Sequence, residues 1–422
     1  MSMPVPPHAS TTPFVPVVLG GDLPTYTLAR AFHEELGART TVLSRGIPAA
    51  VRGSSIVDNL VVPGLDDPDE VVRAVHGVAD ANPGATVLLL GTMDWWIERI
   101  GGLRHRLDER VAVPYPELGL IERMSDKEQF AALCAELRVA HPRTVVLGPD
   151  VAEPEVGGLL TDLRPPYVVK AADPPAFHNL IYRGKQKVGF AADLPELLRL
   201  RRTMSGAGYA GALVVQERIP GGDEQMRLLT TYSDRTGRVR WGRVGHVLLE
   251  DHDPAWIGNP LAVMHGTSAT ALAEATRLLE HVGWTGYANF DLKVDPRDGR
   301  EHFFELNPRL GRSHGYLTAA GHPVVTPYVR EYVEGRDPYD DVTTGAETDD
   351  WLYAIVPVPL LRHYVTDPAT RERLNRVRRE GRVLRPFVYP PDRGRHRRLA
   401  QLKNDVLFVK DFATHYRRPA NS

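Results

Sequence analysis

The chain has 422 residues, 42% of them hydrophobic and 25% charged, with a formal net charge of −2. Such a length implies two or three domains of ordinary globular character, and a charge so near zero argues against binding nucleic acid through bulk electrostatics. A single cysteine, Cys134, excludes an internal disulfide framework and a cysteine-rich metal site; its apolar helical neighbours Ala131, Leu133 and Leu137 make it a core thiol.

Residues 1–14 are rich in Pro, Ser and Thr and lack a basic segment leading into an apolar one, so they read as a disordered leader rather than a signal peptide. No apolar stretch reaches the roughly 18–20 residues that cross a bilayer, and a cytoplasmic protein is expected. Val15–Leu19 is a short apolar run followed by Gly20-Gly21-Asp22 and a helical pattern over Thr25–Leu36. Thr40–Leu43 is a second strand, and Asp67-Pro68 opens a helix carrying Val71, Val72, Val75 and Val78. Thr86–Leu90 is a third strand, ending at Gly91 before Met93-Asp94-Trp95-Trp96. Strands alternating with helices predict a parallel sheet over about residues 15–120.

The pattern then changes. Ser125-Asp126-Lys127 opens a helix reaching about Leu137, and Arg143–Leu147 and Tyr167–Lys170 are strands. Ala171–Val188 is a loop or hairpin carrying Arg183, Lys185 and Lys187. A helix over Leu194–Met204 precedes strand patterns at Leu213–Glu217, Met226–Tyr232 and Val239–Glu250, then a helix at Ala269–Val282. Residues 341–422 read as a small C-terminal extension, with the basic runs Arg371–Arg382 and Arg393–Arg398 as solvated surface.

Gly286–Arg312 is the most informative segment. Gly286–Val294 alternates, with Tyr287, Asn289, Asp291 and Lys293 on one side, and Glu301–Asn307 places Glu305 and Asn307 on a shared face. The connection Pro296–Arg300 has turn chemistry. If Asp295 pairs with Glu301, Asp291 falls opposite Glu305, and facing side chains lie about 5 Å apart at Cβ. Two carboxylates so close repel unless a cation or proton intervenes. Oxygen ligands from Asp291, Glu305 and Asn307 suit a hard ion such as Mg²⁺, which also takes substrate phosphates. A hairpin with a solvated polar face is the plain alternative.

Lys170 ends an apolar strand at an inward position, where a lysine is costly unless it meets an anion. Lys127 occupies the first turn of a helix, where a cation opposes the macrodipole yet meets a phosphate well. Leu213–Gly222 is an apolar strand running into a Pro-Gly-Gly bend. Its backbone at Gln216 and Glu217 suits an adenine edge, with Ile219 packing on the ring.

In this order, these elements resemble the ATP-grasp superfamily over roughly residues 121–340, with about 145–215 as a small nucleotide-clamping subdomain. The preceding sheet looks like the Rossmann-like domain that comes before such modules. The resemblance implies an α/β domain followed by an ATP-grasp fold of two α+β subdomains. It implies that Lys127 and Lys170 meet ATP phosphates, that Gln216, Glu217 and Ile219 line the adenine, and that Glu224 meets the ribose. Asp291, Glu305 and Asn307 match metal ligands for Mg²⁺, two ions being expected and Mn²⁺ being able to substitute. Arg309 matches an arginine near the transferred phosphate, with Lys170 as its catalytic companion. A closer likeness is to the D-aspartate ligase group of carboxylate–amine ligases, carried by Gly91-Thr92-Met93-Asp94-Trp95, Glu122-Arg123-Met124-Ser125-Asp126-Lys127, Val168-Val169-Lys170-Ala171-Ala172 and Arg183-Gly184-Lys185-Gln186-Lys187-Val188.

The stretch after Lys170 departs from the glycine-rich phosphate lid of many such enzymes, having only Gly184 and Gly189. Arg183, Lys185 or Lys187 then supplies charge, Lys187 being the expected cofactor contact, unless the three belong to a plain surface hairpin. The function implied is ATP-dependent joining of a carboxylate to an amine through an acyl phosphate, with small-molecule substrates such as an amino acid or short peptide. No nucleic-acid or membrane partner is expected, and a homodimer is compatible with the chain. The alternatives are a kinase releasing its phosphorylated product and a nucleotide-binding regulatory module. Gly20-Gly21-Asp22 after a strand raises a dinucleotide-binding oxidoreductase, but the G-x-G-x-x-G spacing is missing.

Overall fold

The computed structural model describes residues 10, 12–173, 176–177, 180–182, 184–186, 188–253, 256–340 and 350–416. Three sheets account for its strands. The first contains β1 (Phe14–Leu19), β2 (Thr40–Ser44), β3 (Val57–Val61), β4 (Thr86–Gly91) and β5 (Val111–Ala112), all parallel in the order β3-β2-β1-β4-β5. Its crossovers are helices with legible ends. Asp22 caps the helix Leu23–Leu36 by accepting from the Thr25 amide, Pro24 sits in its first turn, and Gly37 closes it with φ +67°. Asp67 caps Pro68–Ala81, which buries Val71, Val75 and Val78.

Residues 1–9 and 11 of the expected leader lie outside the described residues. Within it, Ser10 donates to the Glu334 carboxylate at 2.6 Å and Phe14 already opens β1, so the ordered chain starts earlier than expected.

The second sheet comprises β6 (Thr144–Leu147), β7 (Tyr167–Ala171), β8 (Gly189–Ala191) and β9 (Leu213–Glu217), antiparallel in the order β6-β9-β7-β8. One face packs its own core around Leu147, Tyr167, Val169, Leu197, Met204 and Val215. The third and largest sheet holds β10 (Met226–Ser233), β11 (Val239–Glu250), β12 (Pro260–Gly266), β13 (Gly286–Val294), β14 (Glu301–Asn307), β15 (Leu352–Ala354) and β16 (Val383–Leu384), in the order β14-β13-β10-β11-β12-β15-β16. The helix Ala269–Val282, capped by Ser268 and ended by Gly283 at φ +67°, covers one face with Ala271, Ala275, Leu278 and Leu279.

The C-terminal residues do more than extend the chain. β15 and β16 complete the large sheet, and the core around β1 and β4 continues through Tyr316, Val325 and Tyr328 to Tyr353, Leu374 and Phe412. The basic runs are not simply solvated either. Arg397, its side chain 6% exposed, lies over the Tyr26 ring at 4.1 Å and pairs with buried Asp392, which also accepts from Tyr26, Ser54 and Ser55. Arg373 pairs with Asp350 at 2.6 Å and donates to the His265 carbonyl. These arginines are held because each meets a buried carboxylate or carbonyl that would otherwise go unsatisfied. Cys134 is buried, and burial pushes its thiol up to about 12.

Candidate active site

Asp291 and Glu305 are cross-strand partners on β13 and β14, as expected, but by a different route. Val294, not Asp295, pairs with Glu301, and a bulge leaves Phe304 without a partner, which restores the Asp291–Glu305 match. The extra residue is invisible to simple counting because a bulge puts two residues opposite one. Asp295 instead turns into the connection, accepting from the Arg297 backbone amide at 2.9 Å and from its guanidinium.

Asn307 donates through Nδ2 to Asp291 Oδ2 at 3.2 Å and to the Asn289 carbonyl at 3.3 Å. That pins its amide through Nδ2 and leaves Oδ1 as the atom a hard cation would use. The donor set therefore fits Mg²⁺: three side-chain oxygens at the open end of one hairpin. A second acidic group, Asp295, Asp298 and His302, occupies the hairpin tip. It fits a cation poorly, because Arg297 already engages both oxygens of Asp295, whose side chain is 3% exposed.

Lysines from separate elements stand near the end of the hairpin that carries Asp291 and Glu305. Lys127 opens the helix Lys127–Glu136 directly after its Asp126 cap, and its Nζ lies 3.9 Å from Glu305 Oε2. Lys170 comes from the second sheet and sits 5.7 Å over the ring of Phe304, the bulge residue beside Glu305. It is not inward as expected: β7 buries Tyr167, Val169 and Ala171, and Lys170 shares the half-buried opposite face with Val168. Register places Val214, Gln216 and Thr144 on that same face, with Gln216 Nε2 donating to Thr144 Oγ1 at 3.0 Å. The face is an apolar floor with a lysine at one end and an amide at the other.

Glu217 ends β9 and lies 3.5 Å from Arg297, and Ile219 after it is buried. Glu224 is exposed on the short turn Asp223–Gln225, its carbonyl accepting from Arg227 at 2.8 Å. Lys293, one alternation beyond Asp291, donates to the Gly221 carbonyl at 2.8 Å and so ties the Pro-Gly-Gly bend to β13. Arg183 and Lys187 lie outside the described residues. Lys185 donates to the Leu180 carbonyl and covers the Phe177 ring, a local packing role.

Arg309 brings the first sheet into the site. Its Nε and Nη2 meet the two oxygens of Asp94 at 2.7 and 2.9 Å, across 215 residues of sequence. Burial opposes the charge on Arg309, yet Asp94, followed by Asp291 and Asp22, outweighs it and raises the guanidinium above its ordinary value. Asp94 begins the helix Asp94–Leu103 just after β4, and Asp22 follows β1. Thr92 and Thr25 both donate to Asp22. A Cβ at Gly20 would lie 2.4 Å from both threonine hydroxyls, so this approach needs glycine there. Gly20-Gly21-Asp22 and Thr92–Asp94 thus flank the switch point between β1 and β4, the usual crevice of a parallel sheet. Gly311, whose Cβ would meet the Asn289 amide at 2.8 Å, folds the segment after β14 back over β13 and fixes where Arg309 stands.

Asp94, Asp22 and Lys293 do not stand out as site residues in the sequence. The signal available for Asp94 is an acid at a helix start directly after a buried strand, and nothing local ties it to Arg309.

No family model matches the chain. It is 30% identical to the D-aspartate ligase of Enterococcus faecium (strain Aus0004) over 388 residues, 90% of this chain and 91% of that protein. In structure it is similar to the L-amino acid ligase from Bacillus licheniformis, with TM-score 0.51 and 14% identity over 76% of this chain and 75% of that one. It is also similar to the biotin carboxylase domain of the Hydrogenobacter thermophilus 2-oxoglutarate carboxylase, a complex with MgADP, ADP and bicarbonate; there the TM-score is 0.56 and identity 14% over 78% of this chain and 71% of that one. No helix among the described residues is long and apolar enough to cross a membrane. Sharing that much sequence with D-aspartate ligase and its sheets with ATP-grasp ligases, the chain belongs to the D-aspartate ligase family of the ATP-grasp superfamily and is a carbon–nitrogen ligase.

Proposed function

We propose that this ligase joins an amino dicarboxylic acid of the aspartate type to an amine, using ATP to activate the carboxylate as an acyl phosphate and releasing ADP and phosphate. The observation that carries the reading is the facing pair Asp291–Glu305, with Asn307 locked against Asp291 and lysines arriving from two other elements. The aspartate-type donor rests on the name of the relative from Enterococcus faecium. The chain divides naturally for this task, with about 15–120 preceding an ATP-grasp unit over 121–340 whose 145–215 portion clamps the nucleotide.

A carboxylate is a poor electrophile because its leaving group would be hydroxide-like. An oxygen of the donor carboxylate attacks the γ-phosphorus of ATP, the bond to the β,γ-bridging oxygen breaks, and ADP departs. The amine then attacks the acyl carbon, phosphate leaves with the former carboxylate oxygen, and the nitrogen loses a proton. Lys127 and Lys170 spread the charge of the moving phosphoryl group, and Arg309, aimed by Asp94, meets the donor and transferred phosphate. Val168, Val214, Gln216 and Ile219 receive the adenine, and Glu217 and Glu224 stand at the same end of the cleft. Mg²⁺ held by Asp291, Glu305 and Asn307 would neutralise the terminal phosphates.

Mass spectrometry of reactions containing ATP, MgCl₂, D-aspartate and a panel of amine-bearing amino acids and short peptides tests the reading. An amide of D-aspartate formed together with ADP supports it. ADP accompanied only by a stable phosphorylated acid, with every amine left unreacted, would assign a kinase instead.

A further inference from the structure

Arg312 stands three residues beyond Arg309, within about 11 Å of chain. It lines a cavity of about 210 Å³ with Asp251, Asp253 and Trp256 of the β11–β12 connection and Asp411 and Phe412 of the C-terminal helix Arg395–His415. The guanidinium lies 5.2 Å over the Trp256 ring, and among the described residues it has neither an ion pair nor a side-chain hydrogen bond. Ser313 donates to the Pro260 carbonyl at 2.8 Å, so the connection that carries Asp251 and Trp256 is fastened to the segment that carries Arg309. A cavity with one guanidinium, three carboxylates and an aromatic wall offers partners to both charged ends of a zwitterion. It is smaller than the roughly 300 Å³ at which drug-sized pockets begin, which suits a single amino acid.

We propose that this cavity holds the α-amino and α-carboxylate groups of the donor amino acid. Arg312 pairs with the α-carboxylate, and Asp251 and Asp411 receive the α-ammonium. The side-chain carboxylate, the group to be phosphorylated, is then the part of the molecule left to reach Arg309. Burial raises the Asp251 carboxyl above its ordinary value; the Asp253 amide and Arg312 pull it only partly back, and the Asp253 and Asp411 carboxylates push it further up, so the acids here lack a full complement of cations. The C-terminal residues gain a role by this reading, since the helix that bears Asp411 and Phe412 forms one wall of the donor site. The inference rests on the ligase reading and specifies which part of the donor the protein recognises.

Two truncated donors dissect the recognition: β-alanine is aspartate without its α-carboxylate, and succinate is aspartate without its amine. With the full chain, Arg312→Gln should weaken D-aspartate at least tenfold, the scale of one lost charge-assisted bond, while β-alanine and ATP change less than twofold. Asp411→Asn, on an exposed helix position that tolerates exchange, should weaken D-aspartate but not succinate. Binding is read by calorimetry without turnover and KM by ADP release. Equal losses for D-aspartate and β-alanine, or none for either, would overturn the site even if the enzyme proves to be a ligase. A wild-type chain that binds D-aspartate in calorimetry with these variant effects, yet forms no amide, would keep the site and sink the ligase reading. No binding of D-aspartate by the wild type would overturn the site outright.

Discussion

The β13–β14 hairpin carries two acidic clusters, and they are neutralised in different ways. At the tip, Asp295 takes its cation from two residues away: Arg297 bonds it through Nε at 2.9 and 3.0 Å and through Nη2 at 2.5 Å, and the Arg297 amide adds a fourth contact. Near the open end, Glu305 meets Lys127 from a helix, Asp291 acts on Arg309, which Asp94 of the helix after β4 holds, and Lys170 of another sheet lies over the neighbouring Phe304 ring. A cluster satisfied within its own turn shapes the turn. A cluster whose neighbouring cations come from distant elements exists only in the folded chain, and the proposed function uses that charge for a phosphate.

Removing a carboxylate at the open end should have the largest effect. Asp291→Asn or Glu305→Gln is expected to lower turnover by roughly 10²–10³, the scale seen when one preorganised electrostatic contact is lost, with the circular dichroism spectrum unchanged. Activity near wild type at saturating ATP would make the two ends of the hairpin equivalent. Lys170→Met comes next. It should weaken ATP roughly tenfold by calorimetry, from the loss of one charge-assisted contact worth about 1.5–3 kcal/mol. Unchanged affinity would remove the second sheet from the phosphate site.

The tip supplies the smallest effect and the control. Asp295→Asn should leave turnover intact and cost about 1 kcal/mol of stability, discounted because Arg297 is half exposed. The hydrogen bond from Arg297 holds the Asp295 carboxyl below its ordinary value, against the opposing effect of burial. A depressed folded pKa stabilises above the unfolded carboxylate value of about 3.9 and stops doing so as pH falls through the folded value. Thermal melts of wild type and Asp295→Asn should therefore differ at pH 7 and approach each other as the pH falls below the ordinary carboxylate value of about 3.9.

The alternation of Gly286–Val294 and the turn chemistry of Pro296–Arg300 make the hairpin legible from sequence, along with the carboxylates on its face. The Phe304 bulge is not legible, since an inserted residue leaves both strand patterns intact. Asp295–Glu301 and the true pairing happen to lead to the same Asp291–Glu305 match. β15 and β16 span three and two residues, too few for any period to register, so their place in the large sheet cannot be read. Asp94 and Arg312 are hidden for another reason. Each acquires its meaning from partners more than 50 residues away, across a sheet boundary or a cavity that local pattern does not encode. The buried Arg397–Asp392 pair is likewise disguised as part of a basic surface run.

Which phosphorus is attacked decides the mechanism. With D-aspartate labelled by ¹⁸O in its carboxylates, and the amine that completes the reaction, nucleotide chromatography and mass analysis of the released phosphate answer the question. Attack at the γ-phosphorus predicts stoichiometric ADP and inorganic phosphate carrying one ¹⁸O from the donor. AMP and pyrophosphate as the stoichiometric products, with ¹⁸O in AMP, would contradict the acyl-phosphate mechanism and the phosphate-handling roles of Lys127, Lys170, Asp291 and Glu305.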